Sequence, residues 1–160
     1  MNDALEKNIN DCRERALEYL QTLVGQKLSY GYKTDMELYI FSLGEIVERI
    51  NSQGRKFEVG LFRLHALCPV EIIWKNSEMN AHIKCHSRTS NEKFYPAIKN
   101  ILGLTVQQVE LCENNNLWLD FGDCKVGFTT LEGEEESWRF LTANDIDSHL
   151  VASDTQLEFV

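Results

Sequence analysis

The rhythm of apolar residues changes once, at Gly25, and that change sets the class of fold available to the chain. Before it, Leu5, Ile9, Cys12, Ala16, Leu20 and Leu23 recur in steps of three or four, the spacing that lines one stripe of an α-helix. Asp3 is placed to cap the helix start, and Gly25 stands where a left-handed residue ends a helix. Residues 4–24 are therefore expected to form a helix lying on a sheet, stripe inward. After Gly25 come strand-like runs at 27–33, 36–43 and 45–51, rich in Tyr, Ile, Leu, Phe and Val. Thr34 with Asp35, and then Gly44, supply tight turns between them.

A longer strand at 57–67 is expected to be interrupted by Cys68 and Pro69, since proline cannot donate to a sheet ladder, and to resume at 70–74. The polar stretch 75–91 holds a turn signal at Asn76 and Ser77 and a short strand at 82–85. Residues 95–102 read as a brief helix, with Pro96 in its first turn and Gly103 just past its end. Strands return at 105–112, 117–121, 125–131 and 137–141, with two short ones at 149–152 and 156–159. The expectation is an α+β fold, a mostly antiparallel sheet with one long N-terminal helix and one short helix. Length and composition fit one domain over 1–160, because two prolines and nine glycines in 160 residues leave no room for a long linker.

The pattern also repeats. Sliding the chain by 78 positions lays Gly25 on Gly103, Gly44 on Gly122, Leu28 on Val106, Tyr39 on Leu117 and Phe41 on Leu119. Two αβββ pseudo-repeats, with halves at 4–74 and 90–152, would account for this; a chance match between stretches of like pattern is the alternative. Repeated halves should pack about a pseudo-twofold axis around one core, and the join between them is where a ligand would sit.

Charge removes several partners. Sixteen Lys and Arg against 25 Asp and Glu give a net charge of −9, and no basic run exceeds Arg55 with Lys56. Such a chain repels phosphate backbones, so no nucleic acid is expected, and a basic protein is the partner its field would steer in. Residues 1–21 are polar throughout and runs such as 38–41 are too short to span a bilayer, so no membrane partner is expected either. Cys12, Cys68, Cys85, Cys112 and Cys124 are odd in number and form no CxxC pair, which reads as reduced thiols in a cytoplasmic protein.

The residues best suited to chemistry are His65, Cys68, His82, Cys85 and His86. Imidazole and thiolate are zinc's ligands, but positions three apart on a strand face opposite ways, so His65 and Cys68 converge only if Pro69 bends the chain. A nucleophilic Cys68 with His65 or His86 as base would need a helix N-terminus or a cation to hold its thiolate, and Pro69 follows instead; a packed, inert thiol is the simpler reading. Asp120 with Asp123, and the Glu134, Glu135, Glu136 run, are carboxylate groupings of the kind that do acid–base work, although a solvated loop is their ordinary setting. No Gly-rich phosphate loop, HExxH or GxSxG pattern occurs, and no cofactor is expected. Trp118, Trp138, Phe121, Phe128 and Phe140 should be mostly core, with one or two free to line a surface.

Four phrases carry a resemblance: Gly25 with Thr34-Asp35-Met36 and a Phe-x-x-Gly strand end; Leu64-His65-x-x-Cys68-Pro69; Ser137-Trp138-Arg139-Phe140; and Ser148-His149-Leu150-Val151. In order and spacing, over roughly residues 23–155, the chain resembles a loosely defined group of small uncharacterised bacterial proteins. That group often has Trp-Arg after the Cys-Pro, where this chain has Val70-Glu71. Some similar small acidic proteins sit beside secreted toxins as immunity proteins, so the resemblance implies a binding role, and it places His82 and Cys85 in a variable stretch. The resulting expectation is a non-enzymatic cytoplasmic protein-binding domain, immunity-type or regulatory, that meets its partner through Glu132, Glu134, Glu135 and Glu136. A metal- or thiol-dependent enzyme built on the His65, Cys68, His82, Cys85, His86 cluster is one alternative; a small-molecule binding module at the join of the halves is the other.

Overall fold

Each helix ends on a glycine that turns the chain into a strand. In the computed structural model, which describes residues 3–75, 82–85, 91–144 and 149–160, α1 (Asp3–Gln21) leads to Gly25 and α2 (Asn91–Ile101) to Gly103. Their φ angles, +89° and +83°, lie in the left-handed region that residues with a Cβ rarely adopt. After α1 come β1 (Leu28–Lys33), β2 (Tyr39–Ile50), β3 (Lys56–Ala66), β4 (Val70–Trp74) and β5 (His82–Cys85). After α2 come β6 (Gln108–Leu111), β7 (Leu117–Asp120), β8 (Cys124–Phe128), β9 (Trp138–Thr142), β10 (Leu150–Ala152) and β11 (Leu157–Phe159). The fold is α+β and its strands pair antiparallel, in two sheets with the orders β1-β2-β3-β9-β10-β11 and β5-β4-β8-β7-β6.

Those orders contain the repeat. Each half contributes its first three strands to one sheet and its next two to the other, and β11 adds a sixth strand beyond β10. The register of β1 on β2, Tyr30 opposite Ser42 and Lys33 opposite Tyr39, recurs 78 positions on in β6 and β7, Gln108 opposite Asp120 and Leu111 opposite Leu117. Likewise Ala66 faces Trp138 across β3 and β9 as Phe128 faces Val70 across β8 and β4. The halves join around Lys27 and Thr105, which bridge each other. On either side, Gly25 N–H donates to Val106 O (2.8 Å) and Gly103 N–H to Leu28 O (2.9 Å). Leu28 N–H donates to Leu104 O and Val106 N–H to Gln26 O, both at 2.9 Å, so each bond has its symmetry mate.

One core lies between the sheets. Phe41 of β2 meets Phe128 of β8 edge-on at 5.3 Å between ring centroids, a geometry worth about 0.5–1.5 kcal/mol beyond the area it buries. The helices close the two open sides: α1 packs on β6 and β11, α2 on β1 and β5. Tyr19 of α1 lies against Phe140 at 4.7 Å, and Phe94 of α2 against Tyr39 at 4.7 Å.

Several local expectations need correction. The α1 stripe is fully buried only from Ala16 onward, whereas Leu5 and Ile9 are 53% and 57% exposed, because an open groove separates the first turns from residues 154–159. Gly44 does not separate two strands; it is a bulge within β2, which continues with β3 into a hairpin that has no counterpart in the short β7 and β8. Cys68 and Pro69 do not interrupt one strand, since β3 and β4 belong to different sheets and the proline sits where the chain crosses between them. The second helix begins at Asn91, so Pro96 is in its interior rather than its first turn, and packing of Phe94, Ala97, Ile98 and Ile101 holds it in place. The turn signal at Asn76 and Ser77 lies outside the described residues.

Nothing lies within 4 Å of a Cβ added at Gly25 or Gly103, so alanine there pays only for backbone conformation. Gly25→Ala and Gly103→Ala should each lower unfolding free energy in urea by roughly 1–2 kcal/mol, and by similar amounts. A difference above about 1 kcal/mol between them would contradict the equivalence of the two junctions.

Candidate functional site

β3 of the first half and β9 of the second pair edge to edge, so the seam between the halves runs down the middle of the six-stranded sheet. Alternation along these strands sends Leu64, Ala66, Trp138 and Phe140 into the core. It sends His65 and Arg139, direct cross-strand partners, to the outer face. There a cavity of about 320 Å³ opens between the halves. Met36, Leu38 and Leu67 form its apolar walls, and His65, Arg139 and His149 its polar groups, with Glu136 beside them.

Arg139 is held by two neighbours. Its Nε–H and an Nη2–H donate to the two carboxylate oxygens of Glu136, both at 2.9 Å. An Nη1–H lies 2.8 Å from Nδ1 of His149. A guanidinium only donates, so Nδ1 accepts and the ring proton of His149 in this contact sits on Nε2. The Glu136 hydrogen bonds raise the Arg139 pKa above its ordinary value. These bonds use three of the five guanidinium N–H groups and fix the plane of the other two.

His65 is the unusual member. Its Nε2 is buried and has no hydrogen-bond partner among the described residues. Burial pushes its pKa down to about 4, aided by the cationic Arg63 and Arg139 and by His149, with Glu136 opposing. The ring is therefore neutral at ordinary pH, beside a fixed cation.

Four separate stretches of the chain converge here. Met36 comes from the first, His65 and Leu67 from the second, Arg139 from the third and His149 from the fourth. Val70 and Glu71 occupy the positions equivalent by the internal repeat to Trp138 and Arg139. The matching spot on the other sheet is closed. Gly127 stands where His65 would, and the six-membered ring of Trp118 lies so near that an added Cβ would meet it at 2.6 Å. Trp118 is half-buried over Gly127, while Trp138, Phe121, Phe128 and Phe140 are buried.

The other sequence candidates are not brought together. Cys68 and Cys85 are buried in the core, opposite to the face that carries His65. The side chain of His82 and all of His86 lie outside the described residues. Among the described residues no three His, Cys, Asp or Glu side chains gather as metal ligands. Burial pushes the Cys68 thiol up to about 12 and Cys124 up to about 11, away from thiolate. Asp120 is not paired with Asp123 for acid–base work. Although burial acts to raise its pKa, Lys75 Nζ at 2.8 Å and the Gly122 N–H at 2.8 Å hold the carboxyl below its ordinary value. Of the acidic run, Glu132, Glu134 and Glu135 are exposed, and Glu136 is committed to Arg139. Neither Arg139 nor His149 stands out by catalytic or metal-ligand spacing; alternation is the signal for Arg139, since a buried Trp138 forces it outward. Among the described residues no helix is long and apolar enough to cross a membrane. Comparison with known proteins finds no matching family, curated sequence or solved structure.

Two outcomes follow from this chemistry. The unfolded chain protonates His65 near its ordinary 6.5 while the folded chain resists to about 4, so the unfolded state binds more protons in that window and stability falls as pH drops through it. His65→Leu should flatten the decline between pH 6.5 and 4 by roughly 2 kcal/mol, read from urea unfolding at each pH, after allowing for partial solvent exposure. In native protein at neutral pH, mass spectrometry after alkylation should find the half-buried Cys12 and Cys112 labelled well before the buried Cys68, Cys85 and Cys124. Early labelling of Cys68 would restore the thiol-enzyme alternative.

Proposed function

We propose that the chain is a non-enzymatic, cytoplasmic protein-binding domain that holds a basic segment of another protein at the seam on the outer face of its six-stranded sheet. The observation that carries this reading is the composition around the cavity. Met36 and Leu67, two of its walls, are 82% and 48% exposed. The acidic loop adjoins them: Leu67 N–H donates to Ser137 O at 2.9 Å, and Leu131 N–H to the Ser137 hydroxyl at 3.1 Å. Glu132, Glu134 and Glu135 thus stand beside an apolar patch that contains a fixed arginine, the arrangement of an interface with an apolar centre and a charged rim. A net charge of −9 steers a basic partner toward it. Five free cysteines fit a reducing compartment. A small-molecule module is the second reading, because the cavity lies at the join of the halves and its volume is at the low end for ligand sites.

A photoreactive phenylalanine analogue at position 67, irradiated in cell extract at low salt, should give a discrete adduct with a basic protein. Glu132→Lys, Glu134→Lys and Glu135→Lys together should reduce that adduct at least about fivefold without changing Tm, since rim charges act mainly on encounter. An adduct insensitive to those three changes, or no more abundant than one from the same group at position 110 on the other sheet, would remove the reading.

A further inference from the structure

We infer that Arg63, on the outer face of the six-stranded sheet, is the anchor for a carboxylate carried on the partner's basic segment. The inference rests on the protein-binding reading above and adds one acidic residue to that segment. Alternation along β3 buries Leu64 and turns Arg63 outward, opposite Ser42 of β2 and Leu141 of β9 and two residues from His65. Four of the described arginines are half-buried: Arg13, Arg49, Arg63 and Arg139. Arg13 donates to Asn115 and to the carbonyls of Leu111 and Cys112. Arg49 donates to Ala143 O and Asn144, and Arg139 is held by Glu136 and His149. Arg63 makes no hydrogen bond or ion pair with the described residues. A half-buried cation is ordinarily paired, yet in a chain with 25 acidic residues no described carboxylate is set against this one.

The side chain is placed to be met from outside. Its Nε is buried without a partner, and it is the one Arg63 nitrogen closed off in this way. Nη1 and Nη2, which also lack partners among the described residues, therefore form the open end of the half-buried side chain. Tyr32 stands on the same face, opposite Ile40, which in turn faces His65. Its ring stacks on Tyr30 at 5.8 Å, and the Tyr30 hydroxyl donates to Glu58 O at 3.2 Å. Burial and Tyr30 raise the Tyr32 pKa while the nearby Arg63 opposes them, so its hydroxyl is a donor at neutral pH. That hydroxyl has no hydrogen-bond partner among the described residues. A guanidinium fork matches the two oxygens of a carboxylate. A phosphate would bring nearly two charges to a chain of net charge −9, and the other arginine near His65, Arg139, is already given to Glu136. A segment lying at the seam has Arg63 within about 7 Å of His65 along β3. Its lysines and arginines face Glu132, Glu134 and Glu135 while its carboxylate faces Arg63, so the two signs of charge fix its direction.

The test is an NMR titration of the folded chain in which acetate replaces chloride at constant ionic strength. The Arg63 Nε–H and Tyr32 ring signals should shift together and saturably, with half the effect near ~100 mM, as suits one partly exposed charge pair. Inorganic phosphate at the same ionic strength should act no more strongly, and methylguanidinium should leave both signals in place. Arg63→Lys should weaken the acetate response about threefold or more, because an ammonium cannot take both oxygens in one fork. Arg63→Met keeps most of the aliphatic stem and should abolish the Tyr32 response. It should not lower Tm, since it removes an unpaired half-buried charge. It should also reduce the position-67 adduct at least about threefold. Acetate acting no differently from chloride, phosphate acting at lower concentration, a full Tyr32 response in Arg63→Met, or a Tm fall above about 4 °C in that variant would each overturn the assignment. An adduct undiminished by Arg63→Met removes the carboxylate from the partner and leaves the protein-binding reading standing. Loss of the adduct's dependence on Glu132, Glu134 and Glu135 removes the partner itself, while the acetate response still judges Arg63.

Discussion

Four backbone hydrogen bonds around the bridge of Lys27 and Thr105 hold the two halves in register. They need two chain segments to pass each other antiparallel immediately after a helix, and each segment can do so only because a glycine takes a left-handed turn at its start. With that crossing fixed, the first three strands of each half can run only to opposite sides of the core. The fourth and fifth strands then complete the other half's sheet. Neither sheet is therefore built from one half alone, and neither half has a hydrophobic face it could bury without the other.

The exchange also places the site. A seam between halves in the middle of a sheet brings together side chains far apart in sequence, here His65 and Arg139, at the fixed spacing of a cross-strand pair. The core side of the same strands is filled by Leu64, Ala66, Trp138 and Phe140, which makes the platform stiff. Arg139 is further held by Glu136 and His149, which orders a long side chain in the free protein.

How far the sequence revealed this depends on which period each residue belongs to. Gly25, Gly103 and the 78-residue offset were readable because a glycine demand and an apolar rhythm are local properties, and they survive in β1, β2, β6 and β7. The assignment of β4 and β5 to the opposite sheet was not readable, since no local signal distinguishes a proline that breaks a strand from one that carries the chain between sheets. The exposure of Leu5 and Ile9 is hidden for a related reason: an apolar stripe says which face turns inward but not how closely the next layer approaches it. His65 is legible as a candidate, but ligand chemistry points to Cys68 and Cys85 as its companions. Strand alternation sends those thiols into the core and gives His65 a guanidinium from the other half. In the acidic run, Glu132, Glu134 and Glu135 looked no different from Glu136, because only the register of β9 commits Glu136 to Arg139.

The repeat is most informative where it fails. Equivalent backbone positions carry His65 and Arg139 on one sheet but Gly127 and Glu71 on the other, and Trp118 lies over the glycine where Ile40 sits beside the histidine. Packing alone does not require this difference, because both spots are on outer faces. A ring laid on a glycine buries its own apolar area and satisfies that surface from within the chain. A neutral imidazole whose buried nitrogen has no partner among the described residues does the reverse: it leaves an energetic cost in the folded chain. Of two equivalent places, one is closed by the chain's own Trp118, and the other keeps an imidazole and a guanidinium beside an open cavity.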